Sequence, residues 1–199
     1  MTAAARLRAA LQQPWRHGEA LDCRGLVLTD RLDLAGLALC GVDFTGARFE
    51  AGIAAAGARF DGLSWFGGAT FGDRADFSGT RFANDARFDG AGFGEAGFRG
   101  AEFRGTASFR GAAFAGGCDM RDLTAYGNMD LADTGFGAGF MLSGSEFLGG
   151  LWAQGAAMPA EAETGDTQVH GRLWLKGARR GNHPLREADF GMAFGYVYL

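Results

Sequence analysis

Residues 86–114, ARFDGAGFGEAGFRGAEFRGTASFRGAAF, carry six phenylalanines spaced five or six apart, with Gly or Ala filling most of the space between them. The same spacing runs without a gap from Phe60 through Phe66, Phe71, Phe77, Phe82, Phe88, Phe93, Phe98, Phe103 and Phe109 to Phe114. Few chain conformations can use such a pattern. Five residues turn an α-helix by about 140°, so successive rings would leave a common face. Residues 41–150 also hold 25 glycines, each costing a helix roughly 1 kcal/mol relative to Ala. That second objection also removes a right-handed coiled coil, whose 11-residue repeat equals one step of five plus one of six. A flat strand fails because an odd step sends the ring to the opposite face. What remains is a chain that turns a corner between units. Two residues before most rings stands a small residue, among them Ala58, Ser64, Ala69, Ala75, Thr80 and Ala86. At the strand period it shares the ring's inward side. Glycine, often two places after the ring, makes the corner.

The units A-R-F-D-G, A-G-F-R-G, A-E-F-R-G and A-A-F-A-G resemble those of the pentapeptide-repeat family, over roughly residues 21–152 and in more than twenty copies. The resemblance implies an all-β fold, a right-handed quadrilateral β-helix with four faces per coil and the central side chain stacked inside. The chain departs from the common form in preferring Phe to Leu and in its frequent six-residue steps.

Counting along the repeat assigns four inward columns. The first holds Cys23, Phe44, Phe66, Phe88, Phe109, Leu131 and Trp152. The second holds Leu28, Phe49, Phe71, Phe93, Phe114, Phe136 and Met158. The third holds Leu34, Ala55, Phe77, Phe98, Met120 and Leu142, and the fourth Leu39, Phe60, Phe82, Phe103, Ala125 and Phe147. Steps within a column are 21 or 22 residues, which is one coil. Two centres, Ala55 and Ala125, are small, and their partners two residues earlier, Ile53 and Leu123, are large. This reads as an exchange of volume within a layer, which cores tolerate better than a void.

Three segments follow: an N-terminal cap over 1–20, the repeat over 21–153, and an irregular part over 154–199, giving six to seven coils in all. Residues 3–13, AAARLRAALQQ, predict a short helix ended by Pro14, with Leu7, Ala10 and Leu11 on the face that covers the first coil and Trp15 assisting. QGAAMPAEAETGDTQ, residues 154–168, reads as a surface loop inserted into the repeat. Leu173 and Leu175 restore an inward pair, ARRGNHPLRE breaks it again, and Ala188 and Phe190 resume it before the chain ends in GYVYL. No polar cap is visible there. Tyr196, Val197, Tyr198 and Leu199 are therefore expected at an open edge and form the first candidate interface, for a protein partner or a second copy of the chain; the alternative is that the chain is a fragment of a longer repeat protein. A second candidate is the strip of small, uncharged residues flanking the second column: Thr70, Gly92, Gly94, Ala113 and Ala115.

A net charge of −4 disfavours simple electrostatic binding to nucleic acid or to anionic lipid. No apolar run approaches the roughly 18 residues of a membrane span. The odd set Cys23, Cys40 and Cys118 has no metal-ligand spacing and reads as reduced core residues of a cytoplasmic protein. The dominance of Arg over Lys, with abundant Ala and Gly, suggests a bacterial source with a GC-rich genome. Gly92–Gly97 fits G-x-G-x-x-G, but the glycines belong to the repeat rather than to a strand–helix turn. His170 and His183 share the C-terminal part with Glu163, Asp166 and Arg186, the one place for a metal or acid–base site, although no ligand spacing supports it. No catalytic, cofactor-binding or metal residues are assigned. The family resemblance implies a non-catalytic scaffold or protein-interaction module. For a subset, the fluoroquinolone-resistance members, it implies a dimeric rod that imitates duplex DNA on a type II topoisomerase. Interleaved acids and arginines make this chain a poor imitation.

Overall fold

The computed structural model describes residues 2–199. After a helix at Ala3–Leu11, the chain forms strands of two or three residues that stack coil on coil into four parallel sheets of nine, nine, six and eight strands. They enclose a square tube of about eight turns, more than the six to seven expected. The second sheet alone ends in an antiparallel pair.

The rings line up in the four columns. On the second face Phe49, Phe71, Phe93, Phe114 and Phe136 stack face to face at centroid spacings of 4.6–5.0 Å. On the first, Phe66, Phe88 and Phe109 stack at 4.7–4.8 Å. These separations match the spacing of hydrogen-bonded strands, so each ring inherits its stacking partner from the backbone ladder. Across the tube, rings of different columns meet edge to face, as Phe88 does with Phe98 at 5.5 Å, the arrangement their quadrupoles favour. Ile53 with Ala55, and Leu123 with Ala125, are all fully buried.

The five- and six-residue steps separate by corner. Steps from the first face to the second and from the third to the fourth are five residues throughout; almost every other step is six. At the short corners the residue after the turn donates its N–H back to the centre, as Ala91 does to Phe88 O at 3.0 Å. The third residue of that turn has positive φ, 63° at Gly90, and aspartate takes the place at Asp122, Asp133 and Asp166. At the long corners glycine serves close approach instead. Between the fourth and first faces Gly127, Gly149, Gly171 and Gly195 stack so tightly that a Cβ on any of them would overlap the preceding coil's backbone. Hydroxyls replace alanine at some inward places by donating across a coil: Thr134 Oγ1 to Phe109 O at 2.8 Å and Ser145 Oγ to Met120 O at 2.6 Å.

The sequence reading needs correction in three places. Leu131 continues into Ala153, not Trp152: Met129 pairs with Leu151 and Asp130 with Trp152, so Trp152 faces outward. Leu151 and Ala153 are both fully buried, a third case of the volume exchange, which a search for large centres overlooks. Residues 154–168 are no inserted loop but an ordinary coil. Ala157–Met158 and Gln168–Val169 are strands, Glu163 bridges Met141, and the buried pair Ala162 and Thr164 extends the third column. Further on, Ala188 is exposed in a 3-10 turn at Glu187–Asp189, while Phe190 is buried.

At the N-terminal end the helix Ala3–Leu11 packs on the first coil through Ala4, Leu7 and Leu11; Ala10 is exposed. Thr2 Oγ1 caps it by accepting from Ala5 N at 3.1 Å, and Leu11 O accepts from Cys40 N at 2.9 Å.

Candidate interaction surface

The two ends of the tube differ. The helix covers the first coil, whereas at the C-terminal end two of the four edges are covered by the chain itself. On the second face Arg179–Arg180 pairs antiparallel with His183–Pro184, whose proline has no N–H to offer. On the third, the 3-10 turn lies over the last coil, and Thr164 Oγ1 donates to Asp189 O at 2.5 Å. The other two edges are open. Val197–Tyr198 ends the first sheet and Met192–Ala193 ends the fourth, and no strand lies beyond either among the described residues.

Large side chains gather at these open edges. Phe194 is 56% exposed, Tyr196 79%, Tyr198 41% and Leu199 77%. Leu199 follows a strand in register with Leu173–Trp174, in the place of the buried Leu175, and stays exposed because no coil lies above it. Val197 is half-buried against the core. The patch continues down the outside of the two faces: Tyr198 packs on Trp174 at 5.3 Å and Phe194 on His170 at 4.8 Å. Sequence reasoning found the terminal residues but missed Phe194, Met192 and Trp174. The signal was there, since these residues stand one place from an inward position, but it required the correct register of the last two coils.

The small-residue strip lies elsewhere. Thr70, Ala113 and Ala115 are exposed and Gly92 and Gly94 half-exposed on the second face, whereas the terminal patch occupies the first and fourth. The two candidate surfaces are not brought together.

Charge on the body is largely neutralised in place. Arg81 lies 2.7 Å and Arg104 2.5 Å from Glu102, Arg110 2.8 Å from Asp130, and Arg121 2.7 Å from Asp119. Hydrogen bonds from Arg24 hold the Asp22 carboxyl down at about 2. Burial pushes the Cys118 thiol well above its ordinary value, and burial with the nearby Asp22 charge pushes Cys23 up to about 11. Thiols so placed are poor nucleophiles at neutral pH. His170 Nε2 lies 2.9 Å from Glu146 Oε1, while His183 stands on the hairpin with Arg186 and Asp189 in a different environment. No group of three or more metal-ligating side chains converges among the described residues. Gly92 and Gly97 sit in two strands of adjoining faces with no helix after them.

A family model described as pentapeptide repeats (nine copies) matches residues 55–102 and again 77–124, inside the stacked phenylalanine columns. Residues 55–124 are therefore pentapeptide repeats, as the resemblance implied. No curated protein sequence matches this pentapeptide-repeat chain. Among solved structures it is similar to a trypsin-treated form of QnrB1, a plasmid-mediated fluoroquinolone resistance protein, at 17% identity over 89% of each chain with a TM-score of 0.28. Full-length QnrB1 is 15% identical over 90% of this chain and 93% of its own, with a TM-score of 0.19. No helix among the described residues is long and apolar enough to cross a membrane.

Proposed function

We propose that this pentapeptide-repeat rod is a non-catalytic interaction module, acting in the cytoplasm, whose C-terminal end is covered by another protein chain. One observation carries the reading: the chain caps three of the places where its β-helix would otherwise be open and leaves two adjacent edges bare, under a cluster of exposed aromatics. An open parallel edge is a template for pairing, and tyrosine and phenylalanine are the side chains that anchor protein interfaces. A second copy is the occupant that fits. A two-fold axis through the corner between the bare edges lays the first-face edge of one copy on the fourth-face edge of the other, with Phe194, Tyr196 and Tyr198 packed about the axis, as an isologous contact requires. Duplex imitation is not part of this reading, because arginine–carboxylate pairs interrupt any continuous run of negative charge.

Sedimentation equilibrium tests the proposal. The full chain is expected to be a dimer in the low micromolar range, and Phe194→Ser with Tyr198→Ser to convert it to a monomer of unchanged melting temperature. A wild-type chain that stays monomeric to roughly 100 µM, where a specific contact worth about 5.5 kcal/mol would be half-formed, overturns the self-association.

A further inference from the structure

Five of the 19 basic residues and none of the 23 acidic ones lie between Thr167 and Arg186, which leaves 14 basic against 23 acidic residues, a net −9, for the remainder. The segregation extends to pairing. Ten of the 14 arginines before residue 167 have a carboxylate within ion-pair distance. In the basic segment only Arg180 does, at 3.6 Å from Asp189, and Arg172, Lys176, Arg179 and Arg186 have none among the described residues. Nine of those ten arginines meet an acid one coil away or two residues along; here the coil beneath offers only Ala157 to Arg179 and Gly150 to Arg172.

These cations border a cleft. Between the hairpin and the 3-10 turn lies a space of about 410 Å³ lined by Arg180, His183, Pro184, Arg186, Ala160 and the single carboxylate Asp189. Its walls are built. Arg180 Nε donates to Ala160 O at 3.1 Å, which fixes the guanidinium at the rim, and Arg186 N donates to Asp189 Oδ2 at 2.7 Å, which engages that carboxylate within the wall. Arg179 stands exposed beside Arg180 on the same strand.

We propose that this cleft docks an acidic segment of a partner polypeptide, with one carboxylate between Arg180 and Arg186 and a second on Arg179. Guanidinium groups suit carboxylates because their paired N–H groups match two oxygens. In an extended peptide, side chains on one side recur about 7 Å apart, a span within reach of one arginine pair. A nucleic-acid strand fits less well. The basic zone is confined to one coil, roughly 5 Å of rise, and the coil before it carries Glu161, Glu163 and Asp166, against which a longer phosphate chain would run. This site is separate from the bare edges and stands whether or not the chain self-associates.

Fluorescence anisotropy on the full chain tests it, using a labelled deca-glutamate peptide and a labelled deca-thymidylate of similar charge at low salt. The peptide is expected to bind in the roughly 10–100 µM range, with affinity falling as salt rises. Arg180→Ala with Arg186→Ala is expected to weaken it at least tenfold, while Arg87→Ala, an exposed arginine of the body without an ion pair, leaves it unchanged. Should the double variant melt early, Arg179→Ala reads the same site from an exposed strand position and is expected to weaken binding at least threefold. Absence of peptide binding up to 1 mM, equal binding by the cleft variants and wild type, or tighter binding of the oligonucleotide would each overturn the proposal.

Discussion

Phe88 lies at the middle of the tube, fully buried, between Phe66 at 4.8 Å and Phe109 at 4.7 Å in its own column. It also meets the edges or tilted faces of Phe77, Phe82, Phe93 and Phe98. Phe88→Ala removes the ring from this set. Loss of transfer free energy alone is worth about 1.5–3 kcal/mol, and the cavity left in a rigid wall raises Phe→Ala costs to about 3–5 kcal/mol. Hydrogen-bonded strands hold the four sides at a set distance, so the tube cannot collapse inward, and the expected cost lies at the upper end, about 4–5 kcal/mol. For a chain of this size that lowers Tm by roughly 8–20 °C. Phe88→Leu keeps most of the volume, as Leu131 does two coils on, and is expected to cost under about 1.5 kcal/mol. Urea unfolding followed by circular dichroism at constant slope gives both numbers. A loss below about 1 kcal/mol for Phe88→Ala, or equal losses for Ala and Leu, would refute the view that continuous ring columns hold the rod together.

The glycines divide into classes that substitution separates in the same unfolding assay. Gly149→Ala drives a methyl into the backbone of Gly127 and Asn128 and is expected to cost more than about 2 kcal/mol. Gly111→Ala, at φ 64° in open space, should cost about 1–2 kcal/mol. Gly135→Ala, with ordinary φ and nothing within 4 Å, should be neutral or slightly stabilising. Thiol chemistry gives an independent check. With Cys118 buried and Cys23 pushed up to about 11, iodoacetamide at pH 7.5 should label native protein far more slowly than urea-unfolded protein. Labelling of Cys23 should rise only as pH approaches 11, and full labelling within minutes at pH 7.5 would contradict the buried placement.

The columns were legible because a ring every fifth or sixth residue, with glycine between, admits one backbone path. Phe71, Phe93 and Phe114 could be aligned by counting alone. Counting failed where the inward volume moved from the centre to its partner. At Leu151–Ala153 the eye selects Trp152, the largest residue, and places the column one residue off. It failed again over 154–168, where small and polar inward residues, Ala162, Thr164 and Thr167, replaced the rings. Thr164 and Thr167 satisfy their hydroxyls on carbonyls of neighbouring coils, which a linear reading cannot see. Part of the candidate surface was legible for a simpler reason: the segment GYVYL is apolar and brings no polar cap of its own. Which edges stay bare depended on the hairpin and the 3-10 turn, and neither has a repeat to announce it.

The sequence by itself determined that this chain turns a corner at every unit with its rings on the inside, since that conclusion needs only local spacing and the fixed geometry of a pleated backbone; four faces per coil came with the resemblance to pentapeptide repeats. Tertiary structure alone decided which glycines are pressed against the coil beneath and which arginines find an acid. Those outcomes depend on residues 21 or 22 positions apart meeting at about 5 Å, and a shift of one position in register changes every partner.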